Sequence, residues 1–183
     1  GTVVSPDAHV LPLMAFGALF VALWQGRFRF VGSVPMVLAV GLWIEAERPD
    51  VLISDTGALV GVMTPDGRAL NRPRGGGFVA LNWLENDGDA ASQERAAIRW
   101  QDLPTEAIRI LALRGKAEAQ NLTDCRGYDW IVLNTPAVHP LSCTVFDPPR
   151  LRDTGAIALY TTPQGISQKT ARQITGVRLW NSQ

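Results

Sequence analysis

The sequence predicts a mixed α+β chain, with an N-terminal transmembrane helical hairpin over residues 1–47 and a small mixed α/β domain over residues 48–183. Two observations predict it. Ala8–Trp24 and Phe30–Ile44 contain no Asp, Glu, Lys or Arg, whereas the sequence beyond them alternates short aliphatic runs with Gly- and Asp-containing turns. Apolar stretches near 18–20 residues are the usual length for crossing a bilayer, and these two lie just under it. The competing reading is a pair of buried core helices, but the adjoining sequence offers no matching amphipathic partners.

Gln25-Gly26-Arg27-Phe28-Arg29 reads as a short basic turn between the two spans. Short loops rich in Arg stay on the cytoplasmic side, so both ends of the hairpin, and the domain that follows, are expected outside the cytoplasm. A cleavable signal peptide fits poorly, because no basic segment precedes the first apolar stretch and no small-residue cleavage site follows it. The chain therefore reads as the C-terminal piece of a larger multi-pass protein of the inner membrane, with its soluble domain in the periplasm.

Val51–Ser54, Ala58–Met63 and Arg68–Asn71 are strand-like and are separated by Asp55-Thr56-Gly57 and Pro65-Asp66-Gly67, which predicts a three-stranded meander. Arg72–Gly77 reads as a flexible loop. Phe78–Glu85 places Phe78, Leu81 and Leu84 on one face of a short helix, closed by Asn86-Asp87-Gly88. Ala90–Gln101 is polar and yields no assignment. Ala107–Arg114 reads as a strand, Lys116–Cys125 as a helix, and Trp130–Asn134, Cys143–Asp147, Gly155–Thr162 and Ile166–Ile174 as strands. This order is not a regular βαβ repeat.

Composition excludes more than it proposes. The 17 basic and 17 acidic residues balance, unlike the field of an autonomous nucleic-acid binder. The charge is uneven, however: Arg68, Arg72 and Arg74 cluster, and Lys169, Arg172 and Arg178 follow Asp153, after which no acidic residue occurs. Such clusters are either solvated faces or phosphate contacts. Of the 2 histidines, His9 lies in the first apolar stretch, so His139 stands alone in the soluble part and no zinc site of two or three histidines is available. Arg74-Gly75-Gly76-Gly77 lacks the Lys and Ser/Thr of a phosphate loop. Asp87 with Asp89, and Asp147 with Asp153, are carboxylate pairs with no third ligand beside them, and no nucleophile elbow occurs. No catalytic residue, metal site or cofactor is expected.

The 2 cysteines, Cys125 and Cys143, are either a disulfide, as an oxidising compartment favours, or two small hydrophobes. If strands 130–134 and 143–147 run parallel, the cysteines share one edge of the sheet, within the separation a disulfide requires; an antiparallel pairing sets them at opposite ends. The eight-residue connection Thr135–Ser142 is short for a parallel crossover.

Several segments in this order resemble the C-terminal end of the ComEC-type competence proteins, the inner-membrane channels for DNA internalisation. They are Arg48-Pro49-Asp50-Val51-Leu52-Ile53-Ser54, the turn around Asp66-Gly67-Arg68, and Phe78 to Trp83-Leu84 with Asp87-Gly88-Asp89. Further on come Asp124-Cys125 leading into Asp129-Trp130-Ile131-Val132-Leu133, Cys143 to Val145-Phe146-Asp147, and Leu151 to Leu159. Many members carry a metallo-β-lactamase-like domain with a His-rich metal motif there, thought to degrade the strand left outside. This chain has no such run, so the resemblance implies a degenerate, metal-free form of that fold. It implies a non-catalytic, scaffolding or strand-guiding role in moving single-stranded DNA, with the membrane and other competence proteins as partners. Arg68, Arg72, Arg74, Lys169 and Arg172 are then the candidate DNA-contacting residues. The alternatives are a metal-dependent nuclease of the same ancestry and an unrelated membrane-anchored binding module.

Overall fold

The computed structural model describes residues 5–103 and 108–176 and divides the chain into two compact units, Val3–Arg48 and Pro49–Gln183. In the first, α1 (Val10–Leu23) is followed by a 3-10 segment (Arg27–Gly32) that runs into α2 (Ser33–Ile44). The chain reverses one step earlier than the basic residues suggest. Gly26, at φ +83°, breaks it, so Arg27 and Arg29 open the second helical run instead of forming a turn. That run, Arg27–Ile44, spans 18 residues at a mean hydropathy of 1.4 and is long and apolar enough to cross a membrane; α1, at 14 residues, is shorter. The two helical runs touch at glycines. A Cβ on Gly17 would sit 2.6 Å from the Gly32 carbonyl oxygen, and one on Gly32 would sit 2.8 Å from that of Gly17. Small residues at such a crossing let backbones approach closely. Leu11, Phe16, Leu19, Phe28, Phe30, Val34, Val37 and Ile44 point outward and stay exposed.

The second unit is built on two sheets. β1 (Val51–Ile53), β2 (Val60–Thr64) and β3 (Gly67–Leu70) form the meander, and β7 (Ile157–Thr162) and β8 (Gly165–Thr170) extend it into an antiparallel sheet of order β3-β2-β1-β7-β8. β4 (Ile110–Leu113), β5 (Trp130–Leu133) and β6 (Thr144–Phe146) form a parallel sheet. Strand period two decides which side chains meet. The register Val51↔Val62, Ile53↔Val60, Val51↔Leu159 and Ile53↔Ile157 turns these six inward. They pack in one core with Ile110, Val132 and Phe146 of the parallel sheet and with Leu151.

Each sheet's other face is covered as well. Leu59 and Leu70 pack with Ala80 and Leu84 of α3 (Gly77–Asn86) and Ala96 of α4 (Gln93–Arg99). On the parallel sheet, Ile131 and Leu133 pack with Leu122, which follows α5 (Lys116–Asn121). Helices therefore cover the outer face of the antiparallel sheet, and Leu122 with the segments around Cys125, Ala137 and Leu141 covers that of the parallel sheet.

Several sequence expectations are corrected. The buried face of α3 is Ala80 and Leu84 with Val79 and Trp83 beside them, whereas Phe78 is 80% exposed and Leu81 53%. The stripe that finds partners is the one that meets Leu59, Leu70 and Ala96 of α4. The polar stretch at 90–101 contains α4, whose N-cap Ser92 accepts from the Arg95 amide at 3.3 Å. Arg72–Gly77 is not a loose loop. Arg72 Nη1 donates to the Ala58 carbonyl at 3.1 Å, and Gln93 Nε2 to that of Gly75 at 2.9 Å. The helix at 116–125 stops at Asn121. The expected strand at 166–174 is β8 followed by α7 (Ala171–Thr175), started by a capping box of Thr170 and Gln173. A further helix, α6 (Pro148–Thr154), begins at Asp147, whose carboxylate accepts from the Arg150 amide at 3.2 Å.

Candidate functional site

A cleft of about 580 Å³ opens in the second unit, lined by Ser54, Asp55, Thr56, Trp83, Arg152 and Arg172, among others. Each part is placed by a local cause. The 54–56 turn leaves β1, and Gly57, at φ +65°, lets it lie on the end of β5, where a Cβ would run into the Leu133 carbonyl. The Ser54 hydroxyl accepts from the Leu59 amide at 3.0 Å and lies 3.3 Å from that of Thr56. Trp83, half-buried, projects from α3. The opposite wall is α6 and α7, drawn together by the Ala171 amide, which donates to the Ala156 carbonyl at 2.8 Å, and by Arg172 Nη2, which donates to the Arg152 carbonyl at 2.8 Å. Leu151, in the main core, underlies the cleft.

The sequence-predicted residues do not gather into one surface. Arg68 is the clearest correction: it is fully buried. Its guanidinium is held by the Asp87 carboxylate through two hydrogen bonds, Nε to Oδ2 and Nη2 to Oδ1 at 3.0 Å, and Nη2 also reaches the Pro49 carbonyl at 3.1 Å. Gly61, opposite Leu70, leaves room for its methylene stem. Arg68 therefore cannot contact DNA. Asp89 likewise pairs with Arg99, which also donates to the Arg68 carbonyl at 3.1 Å. The Asp87–Asp89 pair thus serves two arginines. Burial raises the Asp89 pKa, but the Arg99 hydrogen bond, the Ala91 amide and the Arg99 charge outweigh it and hold the carboxyl below the usual range.

Arg72 is engaged with backbone carbonyls, and desolvation, with the nearby Arg114 charge, lowers its pKa from the usual value. Arg74 is 86% exposed and 3.6 Å from Glu94. Lys169 lies over the Tyr160 ring at 4.6 Å. Only Arg172 of the five lines the cleft; Arg178 lies outside the described residues. Sequence reasoning missed Arg152, Ser54, Thr56 and Trp83, which come from distant segments. One signal was legible: Asp147-Pro148 is an N-cap followed by Pro at the first helical position, which would have put Arg152 on a helix.

Cys125 and Cys143 are joined, with Cα atoms 6.0 Å apart. β5 and β6 run parallel, which sets both residues at the starting edge of that sheet. The short connection is accommodated because it crosses back without a helix, through Ala137, whose amide donates to Asp147 Oδ2 at 3.2 Å. Among the described residues no group of three or more His, Cys, Asp and Glu could hold a metal ion. His139 lies in a loop with Nε2 3.2 Å from the Gln120 carbonyl. The cleft combines two guanidinium groups, hydroxyls and an indole with a single carboxylate, Asp55. That set suits anion binding and does not assemble an acid–base pair.

No known protein family, curated protein or solved structure matches the chain.

Proposed function

We propose that the chain is the C-terminal part of an inner-membrane DNA-uptake protein of the competence type, whose soluble domain scaffolds the channel or guides the strand. The observation that carries this reading is the 18-residue apolar run Arg27–Ile44, which leads within a few residues into a separately cored domain bearing the segments quoted above. On this reading α1 and α2 are the last transmembrane hairpin of a multi-pass protein, with the domain from Pro49 outside the cytoplasm. The Cys125–Cys143 bond supports an oxidising compartment.

The test is genetic. In a naturally transformable host carrying this gene, in-frame removal of residues 49–183 should abolish transformation while duplex DNA still binds the cell surface. Unchanged transformation would refute the uptake role. Stoichiometric zinc or manganese in the purified protein, with chelator-sensitive nuclease activity, would favour the nuclease reading instead.

A further inference from the structure

We infer that the cleft between the 54–56 turn, α3 and the α6–α7 pair is a subsite for single-stranded nucleic acid, with Arg152 and Arg172 on a phosphodiester and Trp83 stacked on a base. The inference rests on the DNA-uptake reading for where a strand would come from, but its chemistry stands on the cleft itself. Two guanidiniums on one wall supply fork-shaped donors matched to phosphate oxygens. Arg152 is exposed and, among the described residues, its side chain has no ion-pair partner, while Arg172 is fixed on the wall by the Arg152 carbonyl. Thr56 stands across from them on the turn, its hydroxyl against that of Ser54. Of the residues that α6, α7 and the segment between them contribute to the lining, Arg152 and Arg172 carry charge and none is acidic, so this side of the cleft is net positive.

Two features select the ligand. Asp55 places one negative charge among the lining groups. It opposes a doubly charged phosphomonoester more than a singly charged diester, so a position within a strand is favoured over a free nucleotide or inorganic phosphate. The indole selects the strand's state. An aromatic ring stacks only on a base already parted from its neighbours, which a single strand offers and an intact duplex does not.

The experiment uses the full chain in detergent micelles with a fluorescein-labelled oligothymidylate, read by anisotropy across a salt series. Binding is expected, weakened about tenfold or more in R152Q/R172Q, with the salt slope reduced by about 0.7 for the one phosphate no longer neutralised. Both side chains sit at the surface, and R152Q alone provides a milder variant should the pair disturb α7. Trp83→Phe should retain most binding and Trp83→Ala should lose about tenfold, with intrinsic fluorescence quenched by the oligonucleotide in wild type and not in Trp83→Phe. Hairpin duplex, inorganic phosphate and phosphatidylglycerol vesicles should compete poorly. Equal binding by wild type and R152Q/R172Q, equal affinity for duplex, or displacement by vesicles would overturn the assignment. Failure to bind oligothymidylate at all would overturn it too. None of these results touches the uptake role, which fails only if removal of residues 49–183 leaves transformation intact.

Discussion

Replacing Asp87 with Ala should destabilise the second unit more than any surface change. Arg68 is fully buried and the Asp87 side chain only 6% exposed. The carboxylate supplies two of the three acceptors that Arg68 has, and Nη1 already lacks a partner among the described residues. Its removal leaves a buried cation with one carbonyl, from Pro49. Breaking a buried pair in this way costs about 3–5 kcal/mol, against a total stability of about 5–15 kcal/mol for an ordinary domain. For a domain of this size that corresponds to roughly 10–20 °C in Tm. Exchanging both partners for apolar residues, Arg68→Met with Asp87→Leu, should recover most of the loss, because no charge is then stranded. Urea unfolding followed by tryptophan fluorescence measures both. The reasoning is refuted if Asp87→Ala loses less than about 1 kcal/mol, the range of an exposed pair, or if the double variant is no more stable than the single one.

Reducing the Cys125–Cys143 bond, which closes a loop across a separation of 18, should lower stability by about 3 kcal/mol, and the unfolded, unreduced protein should show no thiol reactive to a maleimide. Two reactive thiols in material taken from the periplasm would count against both the bond and the proposed orientation. Asp89 should give an acid limb. Its folded pKa lies below the unfolded value of about 3.9, so its contribution is complete above about pH 5 and is lost as pH falls through both values. Asp89→Asn should therefore flatten the fall in urea midpoint between neutral and acid pH, and an unchanged fall would exclude the effect. A reporter enzyme active only in the periplasm, fused after Gln183, should be active; activity of a cytoplasmic reporter alone would reverse the topology.

The parts of the fold legible in the sequence are those with a local cause. The meander follows from Asp55-Thr56-Gly57 and Pro65-Asp66-Gly67, whose glycines take the positive φ that closes each turn. β4 and β5 are continuous apolar runs, as strands of a parallel sheet packed on both faces are. What escaped depends on register. Arg68 reads as a surface cation until β3 is seen to pair with β2 at Gly61, where a missing side chain makes room for it. Phe78 and Leu81 look like a helix face because their spacing is helical, yet spacing cannot say which stripe finds a partner. The helices α4, α6 and α7 have 7, 7 and 5 residues, too short for periodicity, and are fixed by their caps at Ser92, Asp147 and Thr170.

The cleft escaped for a related reason, and that reason bears on what the domain does. Its groups come from a turn after β1, from α3, and from α6 and α7 near the other end of the chain, so no window of sequence contains the pattern. The basic cluster that a window does contain, Arg68-Arg72-Arg74, is taken apart by folding: one member goes to the interior, one to backbone carbonyls and one beside Glu94. Charge clustering along a chain measures composition, whereas recognition of a phosphate needs donors converging in space on a surface that also offers something for the rest of the ligand. Arg152 and Arg172 meet that condition because a carbonyl bond and the Ala171–Ala156 amide contact hold their helices together, and because Trp83 faces the same cavity. Separating those helices, with both arginines intact, should therefore weaken strand binding as much as removing the charges.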